Sequence, residues 1–215
     1  MSLFARFQAS TPEEAARRRF AIWACAGLIL FLPSWWLWGA DLAAQILRPL
    51  AGLVMSLLGL TGRIDVSPQG DWSIGTRLTQ AGQPFVYEMS ATTLRRLLLG
   101  FPLVAAFMIA PPRTERPWRA AGVSIAVLSL MFALGVVAVV WGDVGPGLQP
   151  DAAAATAAQA VVGRFDQSAI PGVLVQIAVV GRYLALSIAP LLAAAMLWAM
   201  LNPAGFRTLV AEITE

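Results

Sequence analysis

Apolar residues fall into long runs at about 20–38, 42–60, 92–110, 119–141 and 171–201, and one long polar interruption separates the second run from the third. The first run, Phe20 to Trp38, is long enough to cross a hydrocarbon core of about 30 Å. Thr11-Pro12-Glu13-Glu14 ahead of it is a helix-start signal. It ends in Pro33-Ser34-Trp35-Trp36-Leu37-Trp38, an interfacial aromatic belt and not a small-residue cleavage site, so it reads as a retained span. In 42–60 the residues Asp41, Gln45, Arg48, Gly52, Ser56 and Gly59 recur every three to four positions, a single helical stripe. Such a helix either lies in the interface or crosses with its stripe turned into a bundle. The run 171–201 would be about 46 Å long as a helix, more than a bilayer core needs. It is expected to be tilted, broken near Pro190 or partly outside the membrane.

The polar interruption has a different period. Ile64, Val66, Trp72, Ile74 and Leu78 alternate with polar or small neighbours, and Pro68-Gln69-Gly70-Asp71 sits between the first two groups. That pattern predicts short strands around a tight turn. Phe85-Val86-Tyr87 offers a third strand. Thr92-Thr93-Leu94 opens a helix with Arg95 and Arg96 in its first turn, where the helix dipole disfavours a cation. The expected fold is an all-α polytopic membrane protein with four to five transmembrane or interfacial helices and a small extracytoplasmic β-like insertion. One membrane domain covers 1–215. It comprises a cytoplasmic N-terminus (1–19), a first span plus amphipathic helix (20–60), the β-like segment (61–90), a helical hairpin (91–141), an extracytoplasmic loop (142–170) with an alanine-rich helix at 151–161, and a last helix and tail (171–215).

Composition agrees with that class. Hydrophobic residues make up 58% of the chain and charged residues 13%, too oily for a soluble domain. All the basic residues are arginines, and the net charge of +3 calls for no nucleic-acid partner. Arg6, Arg17, Arg18, Arg19, Arg113, Arg116, Arg119 and Arg207 fall on one side if 42–60 does not cross, against Arg63, Arg77 and Arg164 on the other. The positive-inside rule then places the N-terminus in the cytoplasm of a multi-pass inner-membrane protein, with 61–90 and 142–170 outside. Cys25 stands alone in an apolar run and reads as a small buried or lipid-facing residue. With no histidine and one cysteine, the usual serine–histidine and cysteine–histidine mechanisms are excluded and no metal or cofactor is expected. A carboxylate enzyme using Glu88, Asp65 or Asp71 is conceivable, although loop carboxylates are usually just solvated.

The candidate binding residues are Glu88, Arg95, Arg96 and Arg182. An arginine in or near a span faces a partner, a watery cavity or the headgroups. Interfacial snorkelling is the plain reading of Arg95 and Arg96. The functional one is that they hold a carboxylate or acidic segment of another protein at the outer surface, with Glu88 as an internal alternative. Arg182, eleven residues into the last apolar run, needs one of the aspartates or Glu88 beside it. Tyr87 and Trp72 read as packing or belt residues.

An amphipathic Leu-rich helix ending at Leu60-Thr61-Gly62, then the β-like residues, then a helix bearing Leu94-Arg95-Arg96-Leu97, a short basic loop and another apolar helix form a recognisable order. It resembles the core of the exosortase/archaeosortase family, membrane transpeptidase-like enzymes that process C-terminal sorting signals on the outer face of the membrane. In that family a Cys-Ser-Gly-Leu-Arg motif opens the helix with a nucleophilic cysteine, and later helices carry Asn-x-x-Arg and a histidine. Leu94 and Arg95 match the end of the motif, but the nucleophile's place falls on Ala91 within Met89-Ser90-Ala91-Thr92-Thr93. The helix 119–141 has no Asn or Arg after Arg119, and there is no histidine. The similarity spans about 42–141. It implies a non-catalytic membrane companion of an exosortase-type sorting peptidase, binding the enzyme or its substrate tail at the outer face. A transporter subunit or an envelope-assembly subunit is the alternative.

Overall fold

The computed structural model describes residues 11–148, 165–166 and 171–210. The alanine-rich helix expected at 151–161 lies outside the described residues, as do Arg6, Asp151 and Arg164. The chain divides into two compact units, one of 1–37, 100–126 and 191–215, the other of 38–99 and 127–190.

The first unit is helical. α1 (Pro12–Ser34) starts where Thr11 accepts the Glu14 N–H at 3.2 Å and Pro12 takes the first helical position, as the sequence pattern predicts. α1 packs along α4 (Gly100–Ile109). Gly27 permits the approach, since a Cβ there would lie 2.9 Å from Ile109 Cδ1 and 3.1 Å from Ala106 Cα. Phe20, Phe107 and Trp198 form an aromatic cluster with ring centroids 4.8–6.4 Å apart, Trp198 coming from α7 (Ala189–Leu201). Ile29 and Leu30 are exposed, a surface suited to lipid, and Cys25 is exposed on the same helix. At the end of α7 the buried Asn202 donates to Pro112 O at 2.6 Å. Its Oδ1 accepts the Gly205 N–H at 3.1 Å, capping α8 (Pro203–Val210).

The second unit holds the sheet. After a π-helical turn (Trp35–Gly39) the chain continues as α2 (Ala40–Leu57), and Glu14–Leu57 counts as one candidate span of 44 residues. Most of the apolar run 42–60 is thus counted with the first run in one candidate span. Its stripe turns inward only in part. α2 buries Ala40, Ala44, Ala51, Gly52, Val54 and Met55, Asp41 is half-buried, and Gln45, Arg48 and Ser56 stay exposed. Two stripe members do make contacts. Asp41 is treated below, and Gly52 lies so close to Gly62 that a Cβ would come within 2.7 Å of the Gly62 carbonyl oxygen.

β1 (Ile64–Val66), β2 (Trp72–Gln80) and β3 (Gln83–Met89) form an antiparallel sheet in the order β1-β2-β3, the expected insertion. Gly70, at φ +87°, closes the first turn, and its N–H donates to Ser67 O at 3.0 Å. β2 alternates as the sequence does, burying Trp72, Ile74, Thr76 and Leu78 on one face. Trp72 meets Phe132 of α5 (Pro117–Val144) edge to face at 5.8 Å.

At the β2–β3 tip, Ala81 and Gly82 both have positive φ, the type I′ pair that a two-residue hairpin needs. Asp166 clasps this tip: its Oδ2 accepts the Gly82 N–H at 2.9 Å and its own N–H donates to Thr79 O at 3.0 Å. The Gly82 hydrogen bond holds the Asp166 carboxyl below its ordinary pKa. A depressed folded-state pKa contributes stability above the unfolded carboxylate range and loses it as pH falls through the folded value. We expect exchange at the Gly82 amide, corrected for its intrinsic rate, to accelerate below that range, and Asp166→Ala to be fast at every pH. An unchanged protection factor down to acid pH would contradict the clasp.

Two breaks in the helices have the same cause. Proline lacks an N–H and crowds the carbonyl four residues earlier. Pro102 bears on Leu98, and the helix opening at residue 91 is interrupted there into α3 (Ala91–Leu97) and α4. Pro190 bears on Leu186, where α6 (Gly172–Leu186) ends, and α6 and α7 are bent by 66°. The break expected near Pro190 is present. Among the described residues three helices, Glu14–Leu57, Ala91–Ile109 and Pro117–Leu148, are long and apolar enough to cross a membrane, and the bent pair makes a fourth if it counts as one span. The fold is that of a mostly helical membrane protein with a small three-stranded sheet.

Candidate functional site

All four singled-out residues lie in the second unit, and the structure sorts them into inner and outer. Alternation along β3 puts Phe85, Tyr87 and Met89 toward the protein and Val86 and Glu88 away from it. Glu88 is exposed, with Ser73 as its cross-strand neighbour. Arg96 is exposed on α3.

Arg95 is held by a carboxylate. Its Nε and Nη2 lie 3.0 and 2.8 Å from the two oxygens of Asp41, a bidentate pair. The expectation that Arg95 and Arg96 sit in a first helical turn is corrected by the break at Leu98. α3 has seven residues, and both arginines occupy its last turn. Cations are favoured there. The ion pair thus joins α3 to α2, which runs on from the helix before it, and Glu88 does not take part in it.

Arg182, on α6, has the aspartate partner it needs. Its Nε lies 2.8 Å from Oδ1 of Asp143, near the end of α5, without the alignment of a hydrogen bond. The guanidinium also stands 5.6 Å from the centroid of the Tyr183 ring. The second oxygen of Asp143 accepts a short hydrogen bond from Tyr87 OH. Burial first, then the bond to Asp143 and its charge, push the Tyr87 hydroxyl well above its ordinary pKa, with Arg182 opposing. The hydroxyl therefore stays protonated and keeps donating.

Gly142 makes the arrangement feasible, because a Cβ there would fall 2.6 Å from Arg182 Cβ. Tyr87–Asp143–Arg182 ties β3, α5 and α6 into one polar joint. Beside it a groove of about 570 Å³ runs between α5 and α6, lined by Val137, Trp141, Leu174 and Ile177 with Leu58 at its end. Trp141 Nε1 donates to Leu58 O at 3.2 Å.

Sequence reasoning missed Asp41 as the mate of Arg95 and treated Tyr87 as a packing residue. A usable signal for Asp143 existed: Gly-Asp at the end of a long apolar helix, with one arginine inside a later one.

Ala91, which takes the nucleophile's place in the resemblance, opens α3. Its N–H donates to Asp71 Oδ1 at 2.8 Å, and the Ser90 side chain accepts the Thr93 N–H at 3.3 Å. The helix start is thus filled by the protein's own carboxylate and hydroxyl, with a methyl group where a thiol would be needed.

Comparison with curated proteins and with solved structures returns no match. The profile of a family described as exosortase H-associated membrane protein matches residues 14–205, both units and the sheet between their helices in sequence. The chain belongs to that family of exosortase H-associated membrane proteins.

Proposed function

We propose that this protein is a non-catalytic companion of an exosortase-type sorting peptidase, holding the enzyme or its substrate tail at the outer face of the inner membrane. The family match over 14–205 carries the reading. Support comes from Ala91 with its N–H given to Asp71, and from a sequence without histidine. In this reading the N-terminus is cytoplasmic and the sheet, 61–90, faces outside. Glu88 and Arg96 are the charges that meet the partner. Arg95 and Arg182, each tied to an aspartate, position the elements that carry them.

The test is co-expression of the tagged chain with an exosortase-type peptidase and purification of both in mild detergent. The expected result is joint recovery, reduced severalfold by the double reversal Glu88→Arg with Arg96→Glu, while the unfolding temperature stays unchanged. Recovery of the chain alone, or cleavage of a sorting-signal peptide by the purified chain, would overturn the proposal.

A further inference from the structure

The first unit carries a second charged feature, which the companion role does not use. Arg113, Arg116 and Arg119 line one cavity of about 410 Å³, whose far wall is Met200, Leu201 and Asn202 at the junction of α7 and α8. Glu115 is the acidic residue of the lining, so the cup carries a net charge of +2 from three arginines less one glutamate. None of the three guanidinium groups has an ion pair or hydrogen bond among the described residues, and all three side chains are exposed.

Their position makes that costly. Arg116 directly precedes α5 and Arg119 lies in its first turn, which contains no acidic residue. Three cations near the positive pole of a 28-residue helix repel one another and the pole, and an anion relieves both. One side of the cup is apolar and exposed, with Val123 nearly two turns into α5 and Met200 from α7. The cup is also held in shape: Asn202 bonds to the Pro112 carbonyl and caps α8.

Depth identifies the ligand. The cup lies where two apolar spans end, at the start of α5 and the end of α7. Trp118, beside it in sequence, is 88% exposed, as an indole seated among headgroups would be. A phosphate with acyl chains attached satisfies both halves of the lining. We propose that this cup binds the phosphate of an anionic glycerophospholipid, with Arg113, Arg116 and Arg119 on the phosphate and the chains lying over Val123 and Met200. A zwitterionic lipid carries the same phosphate but adds an ammonium that the positive cup repels.

The experiment uses the full delipidated chain in neutral detergent, titrated with dioleoyl phosphatidylglycerol or dioleoyl phosphatidylcholine and read by native mass spectrometry. With three arginines near the headgroup, the phosphatidylglycerol preference should be about tenfold or more. The combined Arg113→Ala, Arg116→Ala and Arg119→Ala variant should lose that preference at unchanged unfolding temperature, and the three Arg→Lys changes should keep much of it. Equal binding of the two lipids, or a preference that survives the alanine variant, would overturn the proposal. So would inorganic phosphate binding as tightly as phosphatidylglycerol, the mark of a soluble-anion site. Displacement of lipid by an acidic peptide at lower concentration would assign the cup to a protein partner instead.

Discussion

Asp143→Ala is expected to destabilise the protein by roughly 3 kcal/mol, because it strips two partners at once. Tyr87 loses the acceptor of its hydroxyl, and Arg182 keeps a charge facing apolar helices with no counter-ion. Asp143 and Arg182 retain 23% and 32% of their side-chain exposure, so water relieves part of the loss and the upper range for buried pairs is not reached. Asp143→Asn should cost less, since the amide oxygen still accepts from Tyr87. Tyr87→Phe should cost about 1 kcal/mol, the ordinary worth of one hydrogen bond. Combining Asp143→Ala with Arg182→Ala should cost less than the sum of the single changes, because removing the arginine also removes the stranded charge. Tryptophan fluorescence during unfolding in detergent reads all of these, the chain having eight tryptophans. An Asp143→Ala protein that unfolds with the wild type would show that the joint contributes nothing.

The parts of the fold legible in the sequence are those set by neighbours in the chain. Thr11 and Pro12 announce the start of α1 within three residues, and the alternation at Trp72, Ile74 and Leu78 states which face of β2 is buried. Pro190 marks its break because the clash it causes is local. Pro102 acts by the same mechanism, yet the run 92–110 is apolar enough to read as one helix. That reading put Arg95 and Arg96 at the wrong pole.

The polar joints were hidden for a different reason. Asp41 and Arg95 are 54 positions apart, and Tyr87 and Asp143 are 56 apart. No periodicity connects residues brought together by packing. The stripe on α2 is split for the same reason, with Asp41 and Gly52 in contact and its other helical members exposed. Small apolar residues, Ala40, Ala44 and Ala51, make the closer contacts and take the inner face, leaving Gln45 and Arg48 outside. Arg182 carried the most information, because a cation inside an apolar run demands a counter-ion wherever it lies in the chain.

The contact of α5 with α6 gives the last prediction, from two glycines that behave oppositely. A Cβ on Gly142 would lie 2.6 Å from Arg182 Cβ and 2.9 Å from the Ala178 carbonyl oxygen, which belongs to helical backbone and cannot yield alone. Gly142→Ala must push α6 off α5 and draw Arg182 from Asp143, a net cost of about 2 kcal/mol in the range of core overpacking. A Cβ on Gly181, across the same contact, would meet Ala138 Cβ at 3.5 Å, an ordinary van der Waals distance. Gly181→Ala should therefore keep the helix-propensity gain of up to about 1 kcal/mol and leave the protein as stable as before or slightly more so. The two variants differ from wild type by the same methyl group on facing helices, so hydrophobicity and expression effects cancel between them. If this joint also orients the sheet that presents Glu88, Gly142→Ala should lower peptidase recovery and Gly181→Ala should not. Equal stability of the two alanine variants would mean that α5 and α6 do not pack as closely as Gly142 and Arg182 require.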